Sequence, residues 1–213
     1  MSDSFLTLAG PGAAEPSKTK GSRFIGEAVS VADEEAVARA LADVRRREPT
    51  ATHWCWAARL GDPGPTGDGA RPRTSDDGEP SGSAGLPILR EIARRGLSDT
   101  LVVVTRYYGG TKLGTGGLAR AYGDAAAAAL DAAPTAETVV RTAVRLQFGF
   151  ADTSAAMRVA AAPGAVVREQ TFGADGTVLV LDVPRSAAPG LAERFVEATA
   201  GRGRAEVLPT RSG

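Results

Sequence analysis

Side chains from Thr138 to Phe150 alternate without a break. Thr138, Val140, Thr142, Val144, Leu146, Phe148 and Phe150 fall on one side; Val139, Arg141, Ala143, Arg145, Gln147 and Gly149 fall on the other. A period of two over such a length predicts a long half-buried strand. The residues after Phe150 narrow the choice of fold. Asp152 can cap a short helix through Ala162. Ala165 to Phe172 and Thr177 to Val183 read as strands joined at Gly173-Ala174-Asp175-Gly176, a hairpin signal. Leu191 to Ala200 reads as a helix with Phe195 and Val196 inward, and Arg204 to Leu208 as a last strand. The order β-α-β-β-α-β is the ferredoxin-like split motif.

The preceding half reads as a second α+β domain. Residues 1–17 hold Pro11, Gly12 and Pro16 and show no period, so a flexible leader is expected there. Phe24 to Val29 is a strand. Asp33 can cap a helix carrying Val37, Leu41 and Val44 on one face, which Pro49 stops. In the strand His53 to Leu60, Trp54, Trp56, Ala58 and Leu60 share one face, and His53, Cys55, Ala57 and Arg59 the other. Residues 61–74 form a Gly/Pro/Asp loop. A helix begins near Ser83, with Pro87 in its first turn and Gly96 after its end. Leu101 to Thr105 is a buried strand. A last helix runs from about Leu118 to Ala132, and Pro134 ends it. The expected organisation is a leader over 1–17, one domain over 18–134 and a ferredoxin-like domain over 135–213.

The composition, 43% hydrophobic and 23% charged, supports a core. The net charge of zero excludes a broadly basic, non-specific nucleic-acid binder, though not a local basic site. One cysteine excludes an intramolecular disulfide and a Cys-rich zinc site. No stretch reaches the roughly 18 apolar residues of a membrane span, and a cytoplasmic location is expected.

Three segments carry chemistry that packing alone does not require. In Thr52 to Trp56, His53 and Cys55 lie two residues apart on one strand face, which suits either a nucleophile with its base or two metal ligands. The alternative is a His53 that only hydrogen-bonds a neighbour, beside a Cys55 that is a small buried hydrophobe. In Ser75-Asp76-Asp77-Gly78-Glu79-Pro80-Ser81-Gly82, three carboxylates and two hydroxyls crowd together. Asp76, Asp77 and Glu79 are hard oxygen ligands suited to a divalent cation, while Ser75 and Ser81 suit the turns of a solvated polar loop. The third segment runs from Thr105 to Tyr122. Gly109, Gly110, Gly114, Gly116 and Gly117 can turn backbone N–H groups toward an anion just before a helix. Arg106, Lys112 and Arg120 add positive charge, and Tyr107 can stack a base. Lys is absent from the position that a Walker A loop requires, where Thr115 stands.

Four motifs in fixed order resemble the YigZ/IMPACT family: Lys20 to Ile25, Ala51 to Ala57, Ser75 to Gly82 with Ala84 and Gly85, and Val104 to Gly110 continuing to Arg120-Ala121-Tyr122. The resemblance implies a first domain like domain IV of elongation factor G, a βαβ two-layer fold. It implies a second domain like domain V of that factor. It also implies a translation-related regulator with RNA or the ribosome as partner. Two functions are therefore expected. One is a binder that holds RNA or ribosomal phosphates on the glycine-rich loop. The other is a metal-assisted enzyme acting on a phosphorylated or acyl substrate in the polar cleft, with His53 as its base.

Overall fold

A computed structural model describes residues 3–64 and 69–208. The chain divides into two compact units. One spans residues 5–138, and the other begins at Val139 and takes in Asp3 and Ser4.

The first unit is built on a five-stranded antiparallel sheet. In chain order its strands are β2 (Gly12–Ala14), β3 (Arg23–Ser30), β4 (His53–Leu60), β5 (Arg71–Ser75) and β6 (Thr100–Tyr107), arranged β2-β3-β6-β4-β5. The central β6 is buried through Arg106, as its apolar run requires. The two faces of β4 part as their alternation predicts. Cys55 and Ala57 join the core made by α2 (Gly85–Arg94) and α3 (Gly114–Asp131), with Tyr122 at its centre. Ala58, Leu60 and both tryptophans pack on the side of α1 (Glu34–Arg47). Helices therefore cover both faces, one layer more than the two expected. Asp33 caps α1, its carboxylate accepting the Ala36 N–H at 2.7 Å.

Four elements differ from the sequence reading. The expected leader contains two strands: β2 on the sheet edge, and β1 (Ser4–Leu8), which pairs with β7 (Thr135–Val139). Such short, half-exposed strands have too few buried residues to show a period. The end of the 61–74 loop is the strand β5, held by its ladder to β4; residues 65–68 of that loop lie outside the described residues. The helix expected from Leu118 begins at Gly114, because the glycine run makes its first turn. The long strand 138–150 is two strands, β7 and β8 (Arg141–Phe148), parted at Val140. The Val140 N–H turns to the Asp3 carbonyl at 2.5 Å.

The second unit follows the split motif: β8, α4 (Thr153–Ala160), β9 (Val166–Gly173), β10 (Gly176–Pro184), α5 (Ala187–Ala198) and β11 (Arg204–Val207), in sheet order β11-β8-β10-β9. Val144, Leu146, Leu179, Leu181 and Phe195 form its core. Val196, expected inward, is exposed. Asp152 precedes α4 without capping it, because its carboxylate is taken by Arg202 at 2.6 Å.

Candidate functional site

The three motifs of the first unit converge where β4 begins, β6 ends, and α2 and α3 begin. The acidic segment leaves β5 and turns at Asp77 (φ +43°) and Gly78 (φ +87°). Its carboxylates then go separate ways. Asp76 Oδ1 accepts the N–H groups of Ala84 (2.9 Å) and Gly85 (2.8 Å), and Oδ2 accepts that of Gly82 (2.8 Å). Ala84, at the N-cap of α2, has no capping side chain, so Asp76 caps that helix from a distance. Burial would raise the Asp76 carboxyl, but the N–H groups of Gly82, Gly85 and Ala84 outweigh it and hold the pKa below its ordinary value.

Asp77 Oδ2 accepts the Trp54 N–H (2.8 Å) and Oδ1 pairs with Arg45 (3.1 Å). Ser75 Oγ accepts the Asp77 N–H at 3.2 Å, while Ser81 is exposed. Glu79 points inward. Its Oε1 accepts Arg106 Nη1 at 2.5 Å and the Tyr122 hydroxyl at 2.7 Å. Both partners of this ion pair are 5% exposed. No three carboxylate, His or Cys side chains form a group able to hold a metal among the described residues. The three acids expected as cation ligands are anchors with different partners.

His53 and Cys55 share a face but not a hydrogen bond. The Cys55 thiol donates to the Asp76 carbonyl (3.0 Å), and the His53 Nδ1–H donates to that of Asp77 (2.8 Å). His53 Nε2 lies 3.9 Å from Glu79. Cys55 is fully buried, and burial pushes its thiol up to about 12, away from the lowered range of an activated thiolate.

The glycine loop is assembled differently from its sequence reading. Arg106 is enclosed, its guanidinium between the rings of Phe24 and Tyr108 (5.4 Å from each), and it is spent on Glu79. Its Nε has no partner among the described residues. Tyr107 donates its hydroxyl to Glu48, and Arg23 sits over its ring at 5.2 Å. The exposed aromatic of this loop is Tyr108, at 47%. Gly110 (φ +85°) and Gly114 (φ +71°) hold backbone that side chains disfavour. Gly109 touches the turn Thr19–Ser22 so closely that a Cβ would lie 2.0 Å from the Gly21 carbonyl carbon. Gly116 and Gly117, in the first turn of α3, have ordinary helical backbone.

Around that turn stand Lys112, Arg120 and a residue that sequence reasoning missed, Lys20. All three are exposed, and none forms an ion pair among the described residues. The chain has only three lysines among 25 basic residues, and two of them are here. A cavity of about 280 Å³ opens beside the turn, with Lys20 and Arg120 in its lining. The signal available in the sequence was the Lys20-Gly21 pair, which suits a tight turn.

The Impact N-terminal domain model matches residues 20–130. An IMPACT family member of Haemophilus influenzae is 33% identical over 183 residues, covering 86% of this chain and 87% of that protein. The chain belongs to the IMPACT family. It is 46% identical over 129 residues to an IMPACT family member in the pol 5′ region of Thermus thermophilus, covering 60% of this chain and 66% of that one. It is 43% identical over 104 residues to IMPACT family member YigZ of Escherichia coli, covering 49% and 50%. A crystal structure of a hypothetical protein superposes with a TM-score of 0.75 at 27% identity, covering 99% of this chain and 100% of that one. The first unit thus carries the fold of domain IV of elongation factor G within a mixed α/β chain. At the level of the family, membership supports a translation-related regulatory role. No helix among the described residues is long and apolar enough to cross a membrane.

Proposed function

We propose that the chain regulates translation by holding phosphates of RNA or the ribosome at the start of α3. The observation that carries this reading is the first turn of that helix. Its N-cap, Leu113, offers no side-chain hydrogen bond, and the turn contains no acidic residue. The free N–H groups and the positive end of the helix dipole therefore favour an anion. Lys112, Lys20 and Arg120, without an ion pair among the described residues, add charge around the same turn. Arg106 takes no part in phosphate neutralisation, since it is buried against Glu79, and Tyr108 replaces Tyr107 as the ring available for stacking. The metal-assisted alternative has no three-ligand cluster among the described residues to support it.

The test is binding of a short uridine oligoribonucleotide as salt is raised. Affinity should fall with ionic strength, and Lys112→Ala should lower both the affinity and the salt slope, the latter by about 0.7–1 unit for one lost phosphate contact. Superimposable curves for the two proteins would remove the phosphate reading.

A further inference from the structure

We infer that the cavity beside the first turn of α3 is a base-reading subsite and that the base it takes is guanine. The inference rests on the phosphate reading of the same turn and assigns that site a nucleotide class. Three features support it.

First, the cavity holds charges of both signs that are not spent on each other. Lys20 and Arg120 line it together with Asp124. Arg120 and Asp124 stand four residues apart on α3, the spacing at which side chains meet. With Glu ahead of Arg that spacing closes ion pairs, Arg39 with Glu35 at 2.6 Å and Arg95 with Glu91 at 2.8 Å, whereas here Arg precedes the shorter Asp, the weaker orientation. Arg120 and Asp124 pair neither with each other nor with another group among the described residues.

Second, Lys20 is held at the cavity against its backbone preference. It occupies φ +46° in the turn closed by Thr19 and Ser22, whose backbone groups exchange hydrogen bonds of 3.0 and 2.9 Å. Such a conformation in a non-glycine residue costs on the order of 1–3 kcal/mol and persists only when its surroundings impose it. Here they do, because Gly21 rests directly on Gly109.

Third, the lining specifies a ligand. Leu113 and Ala121 offer an apolar wall for a ring face, and the volume of about 280 Å³ suits a single nucleotide rather than a folded helix of RNA. The cations suit the phosphate. Asp124 presents two oxygens that only accept. Guanine alone among the common bases carries two adjacent donors on its pairing edge, the ring N1–H and the exocyclic amino group. Adenine and cytosine set an amino group beside an acceptor, and uracil sets its N–H between two carbonyls. Two parallel charge-assisted hydrogen bonds to Asp124 would select guanine.

The test uses the full chain and 5′-mononucleotides, measured by calorimetry at low salt. GMP should bind roughly tenfold more tightly than AMP, CMP or UMP, near the lower end of what a bidentate base contact discriminates. IMP, which lacks the amino group, should fall between. Asp124→Asn should abolish the preference and leave the thermal melt unchanged, because the residue is exposed. Equal affinity for GMP and AMP, a preference that survives Asp124→Asn, or no GMP binding in the millimolar range would each overturn the inference. The uridine oligomer separates this from failure of the parent reading. Salt-dependent oligomer binding lost in Lys112→Ala, without any guanine preference, overturns the base subsite alone. Oligomer binding indifferent to Lys112 removes the phosphate site itself.

Discussion

Asp76→Ala should be among the most damaging single changes in the polar loop, though it removes no core side chain. The Asp76 carboxylate accepts three backbone N–H groups at 2.8–2.9 Å, two at the start of α2 and one at Gly82. Loss of a helix cap costs about 0.5–2 kcal/mol. A hydrogen bond to a charged group contributes about 1.5–3 kcal/mol, and donors left unpaired add to the loss. Because the three bonds share one carboxylate they do not add fully, and about 3 kcal/mol is expected. At about 3 °C per kcal/mol for a domain of this size, the melting temperature should fall by roughly 9 °C. Asp76→Asn keeps an acceptor and should lose less. Acid provides an internal control. The native carboxyl lies below its ordinary value, so its contribution is complete above an unfolded pKa of about 3.9 and is lost as pH falls through the native value. Wild type and Asp76→Asn should therefore begin to converge in stability below about pH 4 and meet only once pH is below the lowered native pKa. Urea unfolding followed by tryptophan fluorescence reads the difference, since both tryptophans lie on the neighbouring β4. A loss under about 1 kcal/mol would refute the capping role. So would a wild-type melting temperature that rises with added Mg²⁺, which would restore the cation reading.

Glu79→Ala strands the Arg106 guanidinium in the interior and should cost roughly 3–5 kcal/mol, with part regained in Glu79→Ala/Arg106→Met; urea midpoints of the single and double variants check both values. Gly109→Ala places a Cβ 2.0 Å from the Gly21 backbone and should destabilise by roughly 1–3 kcal/mol, whereas Gly116→Ala, with nothing within 4 Å, should stabilise α3 by about 0.5–1 kcal/mol; a thermal melt of each variant decides.

Much of the scaffold was legible because it rests on local rules. Asp33 before Glu34 and Glu35 marked the start of α1, the opposing faces of β4 showed in its alternation, and the glycines at 173 and 176 marked the β9–β10 hairpin. The site was legible as a set of segments but not as roles. An acidic cluster reads alike whether its carboxylates hold a cation or backbone N–H groups, because backbone donors leave no mark in a sequence. Arg106 and Tyr107 read as surface groups, yet β6 carries Arg106 into the interior and Tyr107 to Glu48, leaving Tyr108 outside. Lys20 was overlooked because its position depends on Gly21 meeting Gly109, a contact between residues far apart in the chain.

The pairing of β1 with β7 has a consequence for the order in which the protein is made. Phe5, Leu6 and Leu8 leave the ribosome ahead of the rest of the first unit, but their strand partner, Thr135–Val139, is nearly the last part of that unit to be translated. The Leu6 carbonyl also waits for the N–H of Ser98. During that interval an apolar strand is exposed with its ladder unfilled, the state most prone to pair with another nascent chain. Non-local pairing of this kind slows folding. Expression of fragments that end before Thr135 should therefore yield aggregates or a chain that a chaperone retains, whereas emergence of Thr135–Val139 lets the earliest strand close the unit last.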